Sequence, residues 1–309
     1  MIGVATLALH AALMLAAAPV LAGLQAVVRA RLLGRTGSAL LQPWRDLKRL
    51  LRKQPVLPDS ASWLFTAAPF ACLAVAMVAA LLVPSFALGM ATAPLADLLV
   101  LAGLLASGRF ALALAGYESG TALGGMGASR ITVAAVCGEP AMLLIILVLA
   151  ALAGSSNLDA ISAMELDRLQ RVPWITAGAA LAIIGITVIG RKNGGPQLTL
   201  VHGAATLDYS GPYLAMVVYA GQLGALVSLS VLAVLFLPFG IAASGAGPLA
   251  WVVGIAAWML KVGALGACLA TRDAVEAGPS LARVPAALGI AALLAFLAAV
   301  FVFAGQGPA

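Results

Sequence analysis

Charge is what this chain has least of. Only 9% of its 309 residues are Asp, Glu, Lys or Arg, where a soluble domain carries about 25%. That scarcity excludes a solvated globular domain. Histidine occurs twice and cysteine three times. Cys72, Cys137 and Cys268 each stand alone inside an apolar run, make no metal-ligand spacing and read as small core residues. There is no nucleophile motif and no phosphate-binding loop of the required spacing, which leaves the chain without an active site of its own. Strict apolar–polar alternation is missing too, and with it the signature of a β-barrel. The first apolar run lacks a basic leader and a convincing cleavage site, so it is expected to remain as a span.

Apolar residues are abundant instead, at 63% of the chain, with a mean hydropathy of +1.10. The fold class they predict is all-α: a polytopic membrane protein with about eight transmembrane helices and one cytoplasmic amphipathic helix, in a single integral membrane domain over residues 1–309. A bilayer core of about 30 Å needs roughly 20 helical residues. Runs of that length fall at 2–26, 63–83, 94–116, 131–153, 173–190, 213–237, 249–270 and 285–304. The net charge of +6 does not point to nucleic acid, because the basic residues sit beside apolar runs. Most of them, from Arg29 and Arg35 through Arg130, Arg191 and Lys192 to Arg272 and Arg283, follow the odd-numbered spans. The positive-inside rule makes those loops cytoplasmic and puts both termini outside, in a cytoplasmic (inner) membrane.

The first such loop carries its own element. Over residues 40–53, Leu40, Trp44, Leu47, Leu50 and Leu51 share one helical face, and Arg45, Lys48, Arg49 and Arg52 the other. This predicts an amphipathic helix that lies along the lipid headgroups or docks a soluble partner.

Three ionisable residues fall at one depth inside predicted spans: Arg109, Glu139 and Lys261. A charge in a span costs on the order of 2.5–3.5 kcal/mol even on insertion scales, and so faces protein or water. Arg109 and Glu139 flank the Gly-rich stretch GGMGASR (124–130), read as a turn, and counting from the helix ends puts both about 12 Å inside the cytoplasmic boundary. Lys261 counts to about the same level. Two readings stand: an ion-paired cluster that ties helices together, or a proton-accessible carboxylate at Glu139. Nearer the cytoplasm, Glu118, His202 and Asp208 either extend a stepwise polar path toward it or serve as a solvated helix end, a loop hydrogen-bonder and the cap of span six. Asp97, Asp159, Glu165 and Asp167 on the outer side read as interface or solvated charges. His10 has no partner that the sequence identifies. A free-standing ion transporter using the midplane charges is the alternative from another class, although no inverted repeat is visible.

Four segments carry a family resemblance: GRTGSALLQPWRDLKRLLRKQ (34–54), RFALALAGYESGTALGGMGASR (109–130), GEP (138–140) and LTLVHGAATLDYSGPYLA (198–215). They resemble the membrane-anchor subunit of energy-converting nickel–iron hydrogenases of the formate hydrogenlyase and hydrogenase-4 type, a family related to subunit 1 of respiratory complex I. The resemblance implies a non-catalytic subunit. Its cytoplasmic loops, here Arg35, Trp44, Arg45, Asp46, Lys48, Arg49 and Arg130, would dock the hydrogenase-like large and small (iron–sulfur) subunits. Those partners would hold the iron–sulfur clusters and any nickel–iron site, leaving no cofactor in this chain. The buried carboxylates would link the redox module to antiporter-like membrane subunits and to proton or sodium movement. By position, Glu139 matches the membrane glutamate of span four, Asp208 matches the acidic residue before Tyr209, and Arg109, Arg130 and His202 match as well. The sequence departs from the pattern at Ile131 and Gly203, where the family has glutamates. The acidic stretch of complex I subunit 1 is missing from 191–212, which points away from the quinone-binding branch.

Overall fold

The structure is a computed structural model that describes residues 2–58, 61–165, 206–237, 239–242, 247–275 and 283–305. Among these residues the chain is helical: α1 (Ile2–Leu32), α2 (Gln42–Leu51), α3 (Trp63–Leu82), α4 (Leu98–Glu118), α5 (Ala122–Ala153), α6 (Leu158–Glu165), α7 (Gly211–Phe236), α8 (Pro248–Val275) and α9 (Arg283–Gly305), with one 3-10 turn at Ala93–Leu95. Seven of them are long and apolar enough to cross a membrane. The chain is a polytopic helical membrane protein, as its composition requires. The span expected at 173–190 lies outside the described residues.

Helix ends follow local chemistry. Ser62, Asp97 and Thr121 start α3, α4 and α5, each accepting a backbone N–H from the first turn. Gly154, at φ 68°, ends α5 in the left-handed conformation that a Cβ disfavours. Both isolated β-bridges, Ala87 with Ala242 and Asp97 with Asn157, tie loops together at one end of the bundle. The opposite end, which carries α2 and its arginines and lysines, is the basic end.

Packing mixes antiparallel pairs, such as α4 with α5 and α3 with α4, and parallel ones, α5 with α9 and α3 with α7. α5 lies between α4 and α9, α4 packs on α3, α3 on α7, and α7 on α1, α2 and α8. α7 is the central helix and the most enclosed of the spans. Two of its neighbours carry a proline inside the helix beyond the first turn, and the cost of each is met by a tyrosine. Pro19 in α1 removes the N–H that the Leu15 carbonyl would accept, and Tyr219 Oη donates to that carbonyl at 2.9 Å. Pro69 in α3 does the same to Phe65, and Tyr209 Oη donates there at 3.0 Å while its ring stacks on the Phe65 ring.

Two expectations are corrected here. GGMGASR is not a turn, because α5 begins at Ala122 and runs through it. Inside a bundle the backbone must satisfy itself, and glycines let this turn of helix approach its neighbour closely. At Gly124 an added Cβ would stand 2.8 Å from the Gly116 carbonyl. At the end away from α2, Asp97 and Asp159 are not merely solvated. Asp97 caps α4 and accepts from Ser156, and Asp159 accepts from the Gly89 N–H at 2.7 Å. Burial pushes the Asp159 carboxyl above its usual range, partly offset by that hydrogen bond.

Candidate functional site

Polar residues gather at two levels. At the basic end, α4 stops at Glu118 and α5 starts soon after it, so a short loop brings carboxylates, hydroxyls and helix termini together. Glu118 Oε1 accepts from the Ser62 N–H at 2.7 Å, and its Oε2 is buried without a hydrogen-bond partner. Asp208 Oδ2 accepts from Thr121 Oγ1 at 2.7 Å, and Thr121 Oγ1 accepts from the Gly124 N–H at 2.9 Å. The Asp208 carboxylate thus sits at the N-terminus of α5, where the helix dipole favours negative charge. Ser210, not Asp208, is the residue at the start of α7, and its hydroxyl bonds the Val56 backbone instead. Tyr209 lies beside both acids. Burial raises its phenol, and neighbouring Cys72, Glu118 and Asp208 raise it further.

Deeper in the bundle, Arg109 Nη2 meets Glu139 Oε1 at 3.3 Å. The helix ends do not put these residues level, since Arg109 stands nine positions before the end of α4 and Glu139 seventeen after the start of α5. Side-chain direction makes the contact. Helical Cα–Cβ bonds tilt toward the N-terminus, so on antiparallel helices the two side chains reach toward each other along the axis. Glu139 lies near the middle of α5 with 43% of its side chain exposed, and Arg109 with 26%. Between the two levels, Tyr117 Oη and Thr132 Oγ1 are 3.3 Å apart across the α4–α5 groove.

Lys261 does not join this pair. Its Nζ donates to the Leu237 carbonyl at 2.5 Å and lies 4.6 Å from the Phe239 ring centre. Leu237 follows the last residue of α7, so the ammonium neutralises the negative pole of α7 at the end away from α2. The expected common level fails because α8 starts at that end and the lysine stem reaches toward its own N-terminus. His202 lies outside the described residues. Ile131 is 1% exposed and packed in the apolar core.

On the surface of the basic end, α2 buries Leu47 and packs on α1 and α7, with Trp44 6.4 Å from the Tyr219 ring. Arg45, Lys48, Arg49 and the whole stretch from Arg31 to Leu41, including Arg35, are exposed. Asp46 accepts from Gln42 at 3.1 Å and pairs with Arg49 at 3.5 Å. Arg130 is half-buried in α5. Among the described residues no three His, Cys, Asp or Glu side chains are placed to hold a metal ion.

Sequence reasoning missed the partners of His10. Its Nε2 donates to the Ala80 carbonyl at 3.0 Å, which leaves Nδ1 to accept from Ser85 Oγ at 2.7 Å. Nothing in sequence links residues 75 apart. Thr121 was findable, as a threonine followed by an apolar run is a helix-start signal.

Bundle and buried charges together define a polytopic membrane protein with a cationic face at one end and an ion pair inside its spans. A protein-family model described as NADH dehydrogenase matches residues 4–304. The chain belongs to that family, in agreement with the resemblance carried by the motifs. It is 32% identical over 237 residues to formate hydrogenlyase subunit 4 of Escherichia coli (strain K12), covering 75% of this chain and 77% of that protein. It is 33% identical over 236 residues to hydrogenase-4 component C of the same organism, covering 75% and 74%. A chain of the membrane-bound sulfane sulfur reductase, an archaeal respiratory membrane complex, has the same fold, with a TM-score of 0.81 at 16% identity over 96% of this chain and 99% of that one.

Proposed function

We propose that this chain is the membrane subunit of a complex I-like, hydrogenase-4-type respiratory complex, that it seats a hydrogenase-like redox module on its basic end, and that Glu139 couples electron transfer to proton or sodium movement. The observation that carries the reading is the Arg109–Glu139 pair near mid-helix, with the Glu118, Asp208 and Tyr209 cluster between it and the basic end. A carboxylate in a span is costly and calls for a task or a partner. Here a cation holds it while leaving it part-exposed. The curated relatives support the reading, being components of formate hydrogenlyase and hydrogenase-4 by name.

On this reading the basic end faces the cytoplasm, both termini are outside, and the large and small iron–sulfur subunits contact Arg35, Trp44, Arg45, Lys48, Arg49 and Arg130. Iron–sulfur clusters, and a nickel–iron centre where one is kept, belong to those subunits. Antiporter-like membrane subunits carry the ion onward. With Ile131 and Gly203 in place of acids, the path inside this chain leans on Glu118, Asp208, His202 and Glu139.

Purification of the tagged chain from native membranes in mild detergent tests the docking half. Iron–sulfur absorbance and two soluble subunits are expected to copurify. Arg45→Glu with Lys48→Glu and Arg49→Glu is expected to release them by about tenfold, with the wild-type complex weakening as salt rises. Intact, iron-loaded complex from the triple variant contradicts the docking surface.

A further inference from the structure

Four consecutive residues hold three parts of the basic end together. Asp208 Oδ2 accepts from Thr121 Oγ1 at 2.7 Å, at the start of α5. Tyr209 Oη donates to the Phe65 carbonyl of α3 at 3.0 Å. Ser210 Oγ accepts from the Val56 N–H at 2.7 Å and donates to the Val56 carbonyl at 3.0 Å, in the chain that leaves α2. Gly211, at φ 55°, lies so close to that chain that an added Cβ would stand 2.9 Å from the Gln54 carbonyl oxygen. Residues 208–211 are thus a junction between α5, α3 and the exit of α2.

Thr121 brings α5 into this junction, and the direction of its hydrogen bonds is forced. The Gly124 N–H only donates, so at 2.9 Å it takes a lone pair of Thr121 Oγ1 and leaves the O–H for Asp208. Branching at Cβ restricts the threonine rotamer and aims that donor. Gly124 leaves room for the carboxylate, since an added Cβ would stand 2.5 Å from Asp208 Oδ2. From there α5 runs as one helix to Glu139, seventeen residues past its first, or about 26 Å at 1.5 Å per residue. We propose that Thr121 is a positioning residue. It clamps the Asp208 carboxylate onto α5, so that the junction tied to α2 and the helix that carries Glu139 hold one geometry. The assignment rests on the proposal that Glu139 couples electron transfer to ion movement, and it names the side chain that joins the docking end to the coupling helix.

A plain helix cap needs only an acceptor at residue 121, whereas a clamp on a carboxylate needs a donor too. Thr121→Ser keeps both, Thr121→Asp keeps the acceptor alone, and Thr121→Val keeps neither. Ions moved per electron are measured in proteoliposomes holding the complete complex. Thr121→Ser is expected to match the wild type. Thr121→Asp and Thr121→Val are expected to fall by roughly tenfold, the weight of one hydrogen bond to a carboxylate, with the iron–sulfur subunits still copurifying. A fall in the aspartate variant excludes a mere cap, and a fall in the valine variant excludes a mere effect of added charge. Thr121→Val placed on Asp208→Ala is expected to lower the ratio no further than Asp208→Ala alone, because no carboxylate is left to hold. A wild-type ratio in Thr121→Asp, a loss in Thr121→Ser as deep as in Thr121→Val, or losses that multiply in the double variant overturn the assignment. If Glu139→Gln lowers the ratio and the Thr121 variants do not, this assignment alone fails. If Glu139→Gln leaves the ratio unchanged, the coupling reading fails with it.

Discussion

Tyr209 shows how much one side chain does in this protein. Its ring stacks on Phe65 at 4.2 Å between centroids, and its hydroxyl serves the carbonyl that Pro69 leaves unmet. Tyr209→Phe keeps the ring and removes the donor, so it should cost about 1–3 kcal/mol, the scale of an orphaned buried acceptor, read as a lower Tm. The phenol also sets an alkaline limit. Burial first, then Cys72, Glu118 and Asp208, hold it above its usual range. Below the unfolded value of about 10 it is neutral in both states and costs nothing. As pH rises from there toward the higher folded value, the unfolded chain ionises first, so stability falls. The Tm of the Tyr209→Phe protein should therefore fall less steeply than that of the wild type above about pH 10. Parallel curves would show that Tyr209 is not the group responsible. Glu139 and Lys261 carry a second lesson. Both are lone charges in apolar runs, yet one faces an arginine in an open groove and the other caps a helix.

At the scale of the element, α5 is decisive. Its first turn approaches α4 because Gly124 has no side chain: a Cβ would meet Ser119 Oγ at 2.2 Å, Asp208 Oδ2 at 2.5 Å and the Gly116 carbonyl at 2.8 Å. The carbonyl belongs to a helix and cannot swing aside. Gly124→Ala should then cost about 1–3 kcal/mol as overpacking and disturb the Thr121–Asp208 contact. Gly125→Ala, with nothing within 4 Å, should be neutral or stabilising by up to about 1 kcal/mol through helix propensity. Equal melting temperatures for the two variants would contradict the packing described. The same helix marks the limit of reading from sequence. Run length located the seven described spans and the 3–4 spacing of Trp44, Leu47 and Leu51 located α2, because membrane insertion and amphipathicity are local properties. The Gly-rich start of α5 was misread, since glycine's helix cost of about 1 kcal/mol is set by water, not by a bundle that offers the backbone no other partner. Lys261 was misplaced for a related reason: counting residues from a span's end gives the level of the Cα, while the stem decides where the charge sits. The Tyr209–Phe65 and His10–Ser85 contacts join residues too far apart in sequence for any local signal.

The whole molecule places its two kinds of charge differently. Exposed cations crowd one end around α2, and the Arg109–Glu139 pair lies inside the spans, between that end and the far one. Membership of the NADH dehydrogenase family agrees with such a division, and the missing acids at Ile131 and Gly203 concentrate the coupling claim on one residue. That claim is most directly tested by ion movement per electron in proteoliposomes holding the complete complex, wild type against Glu139→Gln. The account predicts that the variant keeps its subunits and its electron transfer but moves ions at least about tenfold less, as expected when an essential proton-exchanging group is removed. An unchanged ratio of ions to electrons would contradict it.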